Sequence, residues 1–164
     1  MRAVALSALV VVAVACRRPS YPASSAHPLL GEPLPAIRHQ TTLDGAPFDA
    51  GDLAGRPVLV KFFAEYCAPC KTTLPAIERL HEAYPDVAFV GIDEDESAET
   101  AARLVERFRL TFPVVHDAAR VVSGRFRVST MPTTFVADRT GVVRWVGGGT
   151  QTEDDLRRAV QAAR

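Results

Sequence analysis

Residues 57–63, Pro57-Val58-Leu59-Val60-Lys61-Phe62-Phe63, form an almost continuous apolar run. A strand with one wet face alternates apolar and polar side chains; a run like this one belongs to a strand covered on both faces. The chain must therefore supply layers above and below it. A helix over residues 67–84, with Leu74, Ile77, Leu80 and Tyr84 on its inner face, supplies one candidate layer. A second buried strand follows at 87–92. Ala101, Leu104, Val105 and Phe108 then recur at helical spacing in 98–109, behind Ser97 as N-cap. A further helix is expected over 117–126. Residues 133–137 and 142–146 read as a hairpin around Asp138-Arg139-Thr140-Gly141, and residues 153–163 as a last helix capped by Thr152. Strands separated by helices, closed by a hairpin and a helix, describe an α/β sandwich with helices covering a mixed sheet.

Ahead of this body, residues 34–40 and 46–48 flank an Asp44-Gly45 turn signal and predict a short β-hairpin. Residues 49–54 predict one helical turn closed by Gly55. The length, 164 residues with 48% apolar, suits one domain and excludes wholesale disorder, collagen and a polytopic membrane protein. Nineteen basic residues balance nineteen acidic ones, so no field favours nucleic acid, and no nucleic-acid partner is expected.

The N-terminus has a different character. Met1-Arg2 precedes thirteen residues of Ala, Val, Leu and one Ser, ending at Cys16. An apolar run this short, after one Arg and before small residues, reads as a secretory signal over 1–15. Ala13-Val14-Ala15-Cys16 fits ordinary Ala-x-Ala cleavage, and it also resembles the lipobox of bacterial lipoproteins. That second resemblance implies lipidation at Cys16 and a membrane hold through attached lipid. Residues 17–35 carry five prolines and no periodicity, which predicts a flexible linker, assigned to 16–33.

Three cysteines are too few for a disulfide scaffold, so their positions matter. Cys67-Ala68-Pro69-Cys70 sits where a buried strand gives way to a helix. Residues i and i+3 of a first turn share a face, so the two sulfurs can meet. The open N–H groups and positive dipole end of that helix favour a thiolate at Cys67, while Cys70, one turn inside, is the more buried. Pro69 is tolerated because first-turn N–H groups lack helical partners. A structural zinc site lacks its other ligands, so no metal is assigned. A purely structural disulfide over three residues would close too small a loop to stabilise much. Redox exchange is the reading that uses the spacing.

The stretch from Val58 to Lys71 resembles the active-site strand and helix of thioredoxins. With Pro75, Gly91-Ile92-Asp93 and Met131-Pro132-Thr133-Thr134-Phe135, it is most similar to the TlpA/ResA-like subgroup of exported, membrane-tethered thiol-disulfide oxidoreductases. The resemblance implies a thioredoxin-like domain over 34–164 with an N-terminal hairpin extension. It also implies a catalytic dithiol without cofactor, protein disulfide or thiol clients, and a membrane electron donor. By the same resemblance Pro132 matches a cis-proline packed on the redox pair, and Met131 pairs with an extended substrate. Tyr66, Ala68, Pro69 and Thr133 complete the substrate surface.

Three positions depart from the family. Tyr66 replaces a Trp, Lys61 stands where thioredoxins bury an acid, and Thr73 stands where the subgroup has a Glu. Lys61 either substitutes as proton handler or snorkels to solvent; Glu65 is a second candidate for handling the proton. Asp93-Glu94-Asp95-Glu96 reads as a solvated acidic loop, because the Gly and Glu of a calcium loop are absent. His27, His39, His81 and His116 form no ligand spacing. Ala68-Pro69 lacks the His that strongly oxidising relatives of this family carry between their cysteines, so the resemblance implies a reductant. A peroxiredoxin-like peroxidase, which calls for Thr where Ala64 stands, and a copper-handling or client-binding module are the alternatives.

Overall fold

A computed structural model describes residues 20–38 and 40–164; the signal reading at 1–15, Cys16 and His39 lie outside the described residues. Strand β1 (Gln40–Thr41) pairs antiparallel with β2 (Pro47–Phe48), so the expected hairpin forms but is only two residues deep, and residues 34–38 are not strand. A 3-10 turn, Ala50–Leu53, is capped by the Asp49 carboxylate and left through Gly55 at φ 76°. The body then runs β3 (Val58–Phe63), α1 (Ala68–Ala83), β4 (Ala88–Asp93), α2 (Ala98–Phe108), β5 (Val114–His116), α3 (Val121–Arg125), β6 (Thr133–Ala137), β7 (Val143–Gly147) and α4 (Glu153–Ala163).

The five-stranded sheet has the order β5-β4-β3-β6-β7. Strands β3, β4 and β5 are parallel, and β6 and β7 run antiparallel to their neighbours. All six residues of β3 are buried, as its composition requires of a central strand. Stepping from β3 to β4 to β5 in one direction by right-handed crossovers places α1 and α2 on the same face. There they join α4 over Leu59, Phe63, Leu74, Ile77, Leu104, Trp145, Leu156 and Val160. The return from β5 to β6 carries α3 to the opposite face, where Val60, Phe62, Ile92, Val122, Phe126, Phe135 and Val146 pack. The mixed sheet covered by helices is the architecture expected from the sequence.

The structure departs from the sequence expectation at further places. The three-residue β5 went unforeseen, because a strand so short, directly after Pro113, carries no legible period. The linker assigned to 16–33 is not free over its described part. Ser25 N–H donates to the Val146 carbonyl (2.7 Å), Gly31 N–H to Val143 (2.8 Å), Val143 N–H to Glu32 (2.9 Å), and Trp145 Nε1–H to Ala23 (3.0 Å). Residues 20–33 thus cover the open edge of β7. At the other edge, the Leu43 N–H donates to the Val114 carbonyl of β5 (2.9 Å). Both edges are shielded from pairing with another chain. A proline-rich segment of this kind shows no period because it follows an edge rather than forming a full strand.

Helix 117–126 contracts to α3, since Asp117 caps from outside: its carboxylate accepts the Val122 and Ser123 N–H groups (3.0 and 2.8 Å). The final helix forms as read, with a capping box between Thr152 and Asp155. Among the described residues no helix is long and apolar enough to cross a membrane.

Candidate active site

The carboxyl end of β3 delivers residues 64–66 directly into α1, whose N-cap is Cys67. Cys67 and Cys70 form a disulfide with Cα atoms 5.2 Å apart, and Cys67 Sγ accepts the Cys70 N–H (3.2 Å). The two sulfurs differ in access. Cys67 is 6% exposed and lines a cavity of about 420 Å³ with Tyr66, Ala68, Pro69, Arg120, Ser129, Thr130 and Met131. Cys70 is 0% exposed, its Sγ 4.0 Å from the Phe62 carbonyl oxygen. Met131-Pro132 is cis, Pro132 and Thr133 are buried, and the Thr133 hydroxyl donates to the Thr130 carbonyl (2.6 Å). Tyr66, 68% exposed, stands at the rim. The structure therefore gathers Cys67, Tyr66, Ala68, Pro69 and Met131 at one mouth, with Cys70 buried beneath it and Pro132 and Thr133 next after Met131 in sequence.

Lys61 does not snorkel. It is fully buried at the centre of β3, between Gly91 of β4 and Thr134 of β6 in the register. Alternation along β3 puts it on the face of Leu59 and Phe63, the face α1 covers with Cys70. Its Nζ donates to Thr134 Oγ1 at 3.4 Å, and burial pushes its pKa down to about 7. Glu65 lies elsewhere: its carboxylate pairs with Lys71 (2.8 Å), which holds it below the usual range, and it lines a neighbouring hollow rather than the Cys67 cavity.

The acidic loop is also corrected. Asp93, Glu94 and Asp95 are 0%, 6% and 6% exposed. Strand β4 extends one residue beyond the expected end, so Asp93 pairs with Phe63 on one side and His116 on the other. The Asp95 carboxylate accepts the Glu65 N–H through both oxygens (2.9 and 3.1 Å), fastening the loop that leads into Cys67. Asp93 Oδ1 accepts the Asp95 N–H (3.0 Å), while Oδ2 has no partner among the described residues. Burial first, with Asp95 and Glu94 adding repulsion, raises the Asp93 pKa to about 8. Glu94 Oε2 sits 2.9 Å from Arg120 Nε, an ion pair without hydrogen-bond alignment. Asp95 looks solvated in sequence because the backbone donor that satisfies it, the Glu65 N–H, comes from a distant loop.

This geometry meets the comparisons with known proteins on common ground. Residues 30–146 match the model of the AhpC/TSA family. The chain belongs to that family. It is 31% identical over 124 residues to thiol-disulfide oxidoreductase ResA of Geobacillus kaustophilus (strain HTA426), covering 74% of this chain and 71% of the relative. Thioredoxin-like protein YneN of Bacillus subtilis (strain 168) is 32% identical over 121 residues, 71% of each chain. Among solved structures, a secreted Mycobacterium tuberculosis disulfide oxidoreductase homologous to E. coli DsbE superposes with a TM-score of 0.71 at 30% identity, covering 75% of this chain and 93% of that one. The fold is thioredoxin-like, with a small N-terminal hairpin, and this family member is a thiol-disulfide oxidoreductase whose redox pair is Cys67–Cys70.

Proposed function

We propose that the protein works outside the cytoplasm, held to a membrane through lipid at Cys16, and reduces disulfides of protein clients. The observation that carries the mechanism is the unequal access of the two sulfurs: a client reaches Cys67 in its cavity but not Cys70. In the reduced enzyme, the Cys67 thiolate, favoured by the α1 N-terminus, attacks one client sulfur. The client S–S bond breaks, a mixed disulfide forms, and the departing sulfur takes up a proton. Cys70 then loses its proton and attacks Cys67 Sγ, which closes the enzyme disulfide and releases the second client thiol. The dithiol supplies both electrons, so the cycle uses no cofactor.

Lys61 takes the Cys70 proton in this scheme. The support is its place on the α1 face of β3 and a pKa near 7, which leaves much of it neutral and basic at neutral pH. Glu65, engaged by Lys71, has no part. Pro132 packs behind the redox pair and the Met131 backbone pairs with an extended client segment, while Tyr66, Ala68, Pro69 and Thr133 border it. The Ala68-Pro69 insert places no cation between the sulfurs, which supports the reductive direction. A membrane donor returns the electrons to the enzyme disulfide.

The test is a trap. In Cys70→Ser the mixed disulfide cannot be resolved, so Cys67 should accumulate covalent adducts with exported proteins, detected by mass spectrometry. Adducts absent from Cys67 in cells would overturn the mechanism.

A further inference from the structure

Of the residues that line the 420 Å³ cavity at Cys67, only Arg120 carries a charged side chain. Its placement is built rather than incidental. Arg120 adopts a left-handed backbone (φ 55°, ψ 32°), uncommon for a residue with a Cβ. The turn that imposes it is fastened: Arg120 N–H donates to the Asp117 carbonyl (2.8 Å), while the Asp117 carboxylate holds the first turn of α3. The guanidinium is anchored on one side only. Nε faces Glu94, whose side chain is 1% exposed, while the arginine side chain stays 55% exposed. The pair is made through Nε at 2.9 Å, and with the side chain 55% exposed the guanidinium, which carries five donors, keeps capacity for a second carboxylate.

We propose that Arg120 reads an acidic side chain beside the cysteine that Cys67 attacks, so that preferred clients are polypeptides with Glu or Asp flanking that cysteine. The inference rests on the reductive reading above and names its substrate class. A polypeptide is favoured over a small disulfide because the cavity does not end at Arg120. Tyr66 and Arg120 also line a second hollow of about 550 Å³, so an extended segment can lie across both. That second hollow is bordered by Glu65, Glu94, Asp95 and Glu96. Carboxylates there repel an acidic ligand, which confines the preference to the position next to the sulfur. Glu94 weakens the net charge of Arg120 and fixes its direction, an arrangement suited to selecting among clients rather than to tight binding.

The experiment uses disulfide-linked dimers of one short peptide with Glu, Gln or Lys beside the cysteine, reduced by the dithiol protein and followed by thiol release. The expected kcat/KM is about fivefold higher for Glu than for Gln, the scale of a half-exposed charge pair, with Lys the poorest. In Arg120→Asn, which tolerates the left-handed backbone, the Glu-to-Gln ratio falls to about one; Arg120→Lys retains part of it. Raising the salt to 0.5 M lowers the wild-type ratio toward one, a readout that needs no variant to fold. A wild-type ratio near one, a ratio that salt leaves unchanged, or one that survives in Arg120→Asn overturns the recognition alone. If the wild type reduces no peptide, the reductive reading fails and takes this inference with it.

Discussion

The two faces of the sheet are built from the same strands and differ in kind. Behind it, Phe62, Phe126 and Phe135 form a ring cluster with centroids 5.1–5.8 Å apart, flanked by Val60, Val90, Ile92 and Val146, and the half-buried His27 ring packs edge-on against Phe135 (centroids 4.9 Å). In front, one residue along in each strand, Lys61 and Asp93 are fully buried beside Phe63 under the helix that carries Cys70. Fully buried apolar side chains each contribute on the order of 2 kcal/mol, whereas a buried charge without a partner costs stability until it neutralises. The back face therefore holds the fold. The front face gives up stability at Lys61 and Asp93, the two buried ionisable groups beneath the helix of the redox pair.

That division predicts which changes separate activity from stability. The largest effect belongs to the sulfurs: Cys67→Ser should lose disulfide turnover by at least ~10³-fold while the reduced protein keeps its unfolding midpoint. Retained turnover would move the chemistry away from this pair. Next comes the back face. Phe135→Ala removes the ring shared by both other phenylalanines and should cost about 4 kcal/mol in urea unfolding. The folded fraction should still react with peptide disulfides at the wild-type rate. A slower reaction at equal folded concentration would show that the faces are not independent.

Much of this contrast was legible from residues alone. The central strand, the Cys67–Cys70 junction, the Ser97 and Thr152 caps and the last helix follow local patterns that tertiary context left intact. Lys61 was visible as an intrusion in an apolar run, but its burial depends on Thr134 and Gly91 from strands far away in sequence. The Asp93–Asp95 turn was misread for a related reason. The Glu65 N–H holds Asp95 and Arg120 faces Glu94, and no window around residue 93 contains either. The 20–33 segment looked like linker because an edge-covering strap has no period to detect.

Lys61 offers the next effect. In the unfolded chain it keeps its proton up to its ordinary value of 10.5; in the folded protein it loses it at about 7. The unfolded state binds the extra proton between those values, so stability rises with pH from about 7 to 10.5. Lys61→Met should abolish that rise and stabilise the oxidised protein at pH 7 by on the order of 3 kcal/mol. It should also slow resolution of the mixed disulfide, measured by rapid quench, with the initial attack by Cys67 less affected. Stabilisation without slower resolution would leave Lys61 a buried liability and remove it from the proton path.

Asp93 carries the opposite sign and a smaller effect, because the hydrogen bond from the Asp95 N–H to its carboxylate offsets part of the cost of burial. Its carboxyl would ionise near 3.8 when unfolded and does so at about 8 when folded. Here the folded state binds the extra proton, so stability falls as pH rises from about 4 to 8. Combined with Lys61, the wild type should show a stability minimum near pH 7–8, whereas most proteins are most stable between about pH 5 and 8. Asp93→Asn keeps an oxygen for the Asp95 N–H, should flatten the acid limb and should stabilise the protein at pH 7 by about 2 kcal/mol. Urea midpoints of the oxidised protein from pH 4 to 10 decide the matter. A wild-type maximum at neutral pH would mean that neither group bears the cost of burial, and an unchanged acid limb in Asp93→Asn would clear Asp93 alone. If the limb flattens while peptide reduction keeps its pH profile, Asp93 serves the loop before Cys67 and Lys61 alone serves the sulfurs.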